Sequence, residues 1–254
     1  MSQHKHIHPA PVSAGRQIAT ALALAGLASF SLPAVAADYV GVNDLGAIRA
    51  NQDGSGASGS YATSIGTWTK ASGLASTAVG SRANAGAESA VAIGASADAT
   101  GSAAIALGEE SAASANADTA IGRKSKATGG QSTAIGSGAA ASGNLSSAIG
   151  AGSTASGIRS LASGSGASAT AGSATAIGTE AQATATSATG VGAKAQATAI
   201  SSSAYGYNST ASATYATALG NKATASGTAS TAVGSEANAG GKYSSAFGEY
   251  SNAA

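Results

Sequence analysis

No cysteine occurs among the 254 residues, so disulfides cannot hold this fold together. Charged residues make up 9% of the chain and aromatic residues 4%, both low for a soluble globular protein. Proline and histidine occur three times each. A chain with 36 glycines and so few bulky side chains would be disordered if its residues were in random order. The order is not random, and the fold follows from that order.

The histidines also fall in one place. His4, His6 and His8 belong to a leader that carries Lys5 and Arg16, followed by a mostly apolar run from Ile18 to Leu32. Pro33 and the small-residue pattern Ala34-Val35-Ala36 then precede Ala37-Asp38, as at a secretory cleavage site. The run is short for a membrane span and is interrupted by Gly26, so residues 1–36 read as a signal peptide rather than an anchor. Without it the chain has no histidine. Removing Lys5 and Arg16 from the 12 basic residues leaves 10 against 11 acidic ones, a net charge of −1. That balance argues against a nucleic-acid partner, which needs a basic surface to displace counterions.

From Ser64 onward an apolar-glycine pair returns every 14 residues without insertion or deletion, from Ile65-Gly66 and Val79-Gly80 to Val233-Gly234 and Phe247-Gly248. Five residues after each of these glycines stands an alanine, from Ala71 through Ala141 to Ala253. Three after, the residue is always Ala, Ser or Thr; two before, it is Ala except for Ser64 and Gly190. Small residues at alternate positions have the period of a β-strand. Charges take the complementary positions. Arg82, Glu110, Lys124, Glu180, Lys194, Lys222 and Glu236 lie two after the glycine, and Lys70, Asp98 and Lys126 lie four after.

Each repeat therefore predicts two short strands, one at the apolar-glycine pair and one at the invariant alanine, joined by turns of Gly, Ser, Thr and Asn. Only small side chains fit inside so short a coil, and coils stacked about 4.8 Å apart would form a rod of roughly 65–70 Å. A half repeat at Ser55, Ala57 and Gly59 has the same phase, so the repeat domain is expected over 53–254, with 37–52 as a leader or cap.

One column does not fit a small interior. The residue before the glycine is large and apolar at Ile65, Val79, Ile93, Leu107, Ile121, Ile135, Ile149, Ile177, Val191, Tyr205, Leu219, Val233 and Phe247. Ser163 is the exception, and Leu161, two residues earlier on the same face, carries the bulk there. This column could be the core with the alanines outside. The charges that alternate with alanine favour the reverse, an outer apolar stripe. Such a stripe exceeds the apolar surface a monomer usually exposes, so self-association is expected through these residues.

The units Ser89-Ala90-Val91-Ala92-Ile93-Gly94 and Ser132-Thr133-Ala134-Ile135-Gly136-Ser137-Gly138-Ala139-Ala140-Ala141-Ser142-Gly143 resemble the head repeat of trimeric autotransporter adhesins, the family of the Yersinia adhesin. The resemblance runs from about Ser55 to Ala254. It implies an all-β, left-handed parallel β-roll packed side by side as a homotrimer. It also implies an exported protein, on the surface of a Gram-negative bacterium if anchored and otherwise secreted or periplasmic. The partner it implies is a host matrix protein, collagen-like or similar, or another surface macromolecule. The expectation for this chain is a head without the neck, coiled-coil stalk and barrel anchor of that family. A head cut from its anchor and a free head both remain open, and no membrane insertion by this chain itself is expected.

Enzymatic readings find no support. Serines are abundant, but with no histidine beyond the leader none has a conventional base. Gly164-Ser165-Gly166 lacks the lysine and strand-to-helix context of a phosphate loop. The adjacent Glu109 and Glu110 read as solvated charges, and no calcium-loop spacing occurs. No enzyme activity, metal or cofactor is therefore expected. Trp68 reads as an outward aromatic. Candidate ligand contacts are Arg82, Lys124, Lys194, Tyr205, Tyr207 and Lys222. The competing readings are an ice-binding solenoid and a purely structural one. Ice binding would need a regular threonine row, but the row six after the glycine mixes Ser with Thr and includes Gly86, Gly240 and Ala254.

Overall fold

The computed structural model describes residues 56–254. The signal peptide expected over 1–36 and the cap expected over 37–52 lie outside the described residues.

Each 14-residue unit forms two strands. The three-residue strands run from β1 (Thr63–Ile65) to β27 (Ser245–Phe247), and the two-residue strands from β2 (Lys70–Ala71) to β28 (Asn252–Ala253). The odd-numbered strands form one parallel 14-stranded sheet and the even-numbered strands a second. Every strand pairs with its equivalent one repeat away, as in Thr133↔Ser147, Ala134↔Ala148 and Ile135↔Ile149. Ala57 of the half repeat already bridges Ala71. The described chain is a parallel β-solenoid, in which each coil's second strand and two turns serve as the crossover that a parallel pairing requires.

The interior lies between the sheets and is made of alanine. Ala134 and Ala148 on one sheet, and Ala141 and Ala155 on the other, are 0% exposed, like the equivalents throughout the core. Serines three after the glycine are also enclosed, and Ser111, Ser125 and Ser153 each donate from Oγ to the carbonyl of the repeat glycine at 2.8–2.9 Å. Larger side chains have no room between backbones this close.

The repeat glycine is required by stacking. At Gly136, φ is +129°, and a Cβ there would lie 2.6 Å from the carbonyl carbon and oxygen of Gly150 in the next coil. No L-residue satisfies both conditions.

The turns depart from the sequence expectation in one respect. The residue two after the glycine is left-handed in every coil, including Trp68, Arg82, Glu110 and Lys124 with φ between 55° and 61°. The residue five before the glycine is left-handed too, from Tyr61 to Tyr243, and is never glycine. The hydrogen bonds explain this. The left-handed residue turns its N–H along the stack, so Arg82 N donates to Thr67 O (2.9 Å) and Ala75 N to Ser60 O (2.8 Å). Turns as well as strands are therefore bonded from coil to coil, which offsets the roughly 1–2 kcal/mol that the conformation costs an L-residue.

One charge breaks the separation of inward small residues and outward charges. Asp118, four before its glycine, is 0% exposed. Its Oδ2 accepts from Ala115 N at 2.8 Å, and its Oδ1 from Gly130 N at 3.0 Å and Ser132 N at 2.9 Å. Elsewhere the equivalent of Ser132 N donates within its own turn, as Ser146 N does to Gly143 O at 3.1 Å. The carboxylate has opened the 129–131 turn, and Asn144 Nδ2 in the following coil donates to the released carbonyl of Gly129 (3.3 Å) and to that of Gly130 (3.2 Å), which also accepts from Leu145 N at 3.0 Å.

Candidate interaction surface

Because successive residues of a strand point to opposite faces, enclosing Ala134 and Ala148 turns Ile135 and Ile149 outward. They are 37% and 41% exposed, and Phe247 is 68% exposed. The alternative with these side chains as core is thereby excluded. Neighbours in the column shield one another, because strand pairing sets them about 4.8 Å apart. The result is an apolar ridge along the outer face of the first sheet, flanked by the column of Thr63, Thr77, Thr119 and Thr133. Val79, Leu107, Val191 and Val233 are half-buried members of the same ridge, as is Ile65 at its start.

The opposite face is polar. Four after the glycine stand residues such as Asn84, Asp98, Thr154, Gln182 and Gln196, and neighbours bond along the stack, with Asn84 Nδ2 donating to Asp98 Oδ1 at 2.7 Å. One sheet face thus suits water and the other does not.

The cationic candidates Arg82, Lys124, Lys194 and Lys222 all occupy the left-handed turn position two after the glycine, and all are exposed. Three of them face a glutamate at the same position one coil away. Lys124 lies 3.5 Å from Glu110, Lys194 3.8 Å from Glu180, and Lys222 3.1 Å from Glu236. With side chains half exposed, such pairs contribute at most about 1 kcal/mol each. They leave the lysines available to a ligand at little cost. The pairs join residues 14 apart, so only the stacking reveals them.

Tyr205 belongs to the apolar ridge at 39% exposure, and Tyr207, beyond Gly206, is 51% exposed on the turn. The structure does not group these two with the paired lysines into one pocket; the candidates are distributed along the stack. Trp68 points outward, 63% exposed. Among the described residues no three of His, Cys, Asp and Glu come together, and no helix is long and apolar enough to cross a membrane. What this geometry offers is repetition: one ridge, and turn columns that recur once per coil.

The family model for the YadA head domain repeat, two copies to a match, fits the chain at 57–83, 71–97, 85–111, 99–125, 113–139, 141–167, 155–181, 183–209, 197–223 and 211–237. No curated protein matches the chain.

Proposed function

The chain belongs to the YadA head family, a family of adhesin domains, and from that premise we propose a homotrimeric adhesin head that attaches multivalently to extracellular-matrix proteins or similar surface macromolecules. Domains of this family are structural modules of exported, cell-surface proteins rather than enzymes. Such a head stands on the surface of a Gram-negative cell where an anchor holds it, and is free or periplasmic otherwise.

The observation that carries the trimer is the half-exposed ridge. Burying a large apolar side chain completely is worth roughly 1.5–3 kcal/mol. At the exposure of Ile135 and Ile149, each ridge residue retains about 0.5–1 kcal/mol of that gain. Over the 13 large apolar members of the column the total is on the order of 10 kcal/mol per chain, comparable to the roughly 4–15 kcal/mol cost of association. The polar face and the turns then remain outside for adhesion.

Attachment by avidity fits the repetition. Similar turns recur about every 4.8 Å, and a trimer presents each three times, so weak contacts with an extended, collagen-like target multiply. The test compares binding of the whole chain, and of a variant shortened by seven whole coils, to immobilised matrix proteins. A steep loss on shortening supports avidity. Equal affinity indicates one local site, and absence of binding to any surface favours the structural reading. Sedimentation equilibrium should return three times the chain mass, and a soluble monomer at micromolar concentration would refute the trimer.

A further inference from the structure

The ridge is interrupted once. Ile149, Ser163 and Ile177 stand in register on three adjacent strands, so Ser163 leaves a gap between two large neighbours. On the same strand, Leu161 places a large side chain between Ser147 and Thr175, in the column that is otherwise mostly Thr and Ser. Both residues lie half-buried on the outer face. Val91 and Ile105 also enlarge that second column, but Ile93 and Leu107 beside them stay large. Among the described strands, only Leu161–Ser163 exchanges a knob for a hole.

A uniform ridge specifies that chains associate without specifying how they align. Coils about 4.8 Å apart and nearly identical allow two ridges to slide by a whole coil while losing contacts only at the overhanging ends. Coiled coils face the same degeneracy, and a single irregular interface residue resolves it. Resting on the self-association proposed above, we infer that the Leu161–Ser163 exchange sets the axial register of the assembly. Side-by-side packing about a threefold axis is heterologous, so one margin of a face meets the other margin of the next chain. Aligned coil to coil, Leu161 of one chain seats over Ser163 of its neighbour. Slipped by one coil, it meets Ile149 or Ile177 instead, and the space above Ser163 is left empty. Overpacking and a cavity then arise together, and both are unfavourable. The partner so selected is a second copy of this chain with the irregularity in the same coil.

The test moves the irregularity by one coil. A variant carrying Leu161→Thr, Ser163→Ile, Thr175→Leu and Ile177→Ser alters only outer-face positions, so its alanine core is untouched. It is refolded with an equal amount of mass-tagged wild-type chain, and the oligomers are counted by native mass spectrometry. The expected result is that each chain assembles with itself, while mixed oligomers fall about tenfold or more below the binomial proportion, as a register penalty requires. A chain with the irregularity erased (Leu161→Thr, Ser163→Ile) should assemble and mix with the moved version more freely than wild type does. Binomial mixing of wild type with the moved variant would overturn the register role while leaving self-association intact. So would loss of self-association in the moved variant alone. A monomeric wild-type chain would instead refute the association reading itself, and the register role with it.

Discussion

Asp118 Oδ1 accepts two hydrogen bonds from Ser132 in the next coil, from its backbone N at 2.9 Å and its Oγ at 2.8 Å. A buried carboxylate is costly unless its oxygens are satisfied, and here Gly130 N and Ala115 N complete the set. Two effects compete in a replacement. Asp118→Asn keeps the shape but sets an amide donor against a backbone N–H, which should cost about 1–3 kcal/mol. Asp118→Ala restores the residue found at the same position in Ala104 and Ala174 and lets the 129–131 turn close as in other coils. Chemical denaturation should therefore rank Asn below Ala. The opposite order would mean that the turn cannot close.

The inner and outer faces of one coil separate folding from association. Ala141 is fully enclosed, and Ala141→Leu should overpack the interior at a cost of about 1–3 kcal/mol or more, lowering the thermal midpoint. Ile135→Asp leaves the coil foldable but puts charge on the ridge, so it should lower the sedimentation mass with little change in circular dichroism. A silent Ala141→Leu together with unfolding by Ile135→Asp would reverse the assignment of faces.

Two glycines two residues apart should respond differently to alanine. Gly136 combines φ +129° with an approach of 2.6 Å between an added Cβ and the backbone of Gly150, so Gly136→Ala should cost about 3 kcal/mol or more and disturb neighbouring coils. Gly138 has φ +67°, and a Cβ added there would meet nothing within 4 Å, so Gly138→Ala should cost about 1 kcal/mol, the ordinary left-handed penalty. Paired thermal melts check the ranking.

The charge pairs along the turns should be nearly silent in stability. Lys124→Ala breaks an exposed 3.5 Å pair with Glu110 and should shift unfolding free energy by less than about 1 kcal/mol. A combined Lys124→Ala, Lys194→Ala, Lys222→Ala chain should melt near wild type. If these turns contact the target, that chain loses adhesion while its sedimentation mass is unchanged.

Much of this architecture can be read from period alone. A translation of 14 residues carries each strand onto its neighbour, so one coil's alternation of Ala134 with Ile135 determines which rows are enclosed along the whole stack. Asp118 was legible only in part. Its place in an inward row is visible from its phase, four before a repeat glycine, where other coils carry Ala or Ser. Its hydrogen-bond partners are not. Likewise, glycine at 138, 152 and 166 hints at a left-handed turn two after the repeat glycine, while no glycine marks the second left-handed column from Tyr61 to Tyr243.

Coil length, two strands per coil, an alanine interior and an outward ridge all follow from the residue order of one repeat, because they depend on side-chain size and alternation within it. Stacking of the coils adds the left-handed turns, the opened turn beside Asp118, and the pairing of Lys124 with Glu110 and Lys222 with Glu236. Each of these is set by a contact between one coil and the next. A turn adopts the conformation that aims its N–H at the neighbouring coil's carbonyl, and a charge finds the partner that stacking brings within reach, so neither is written in the residues of a single repeat.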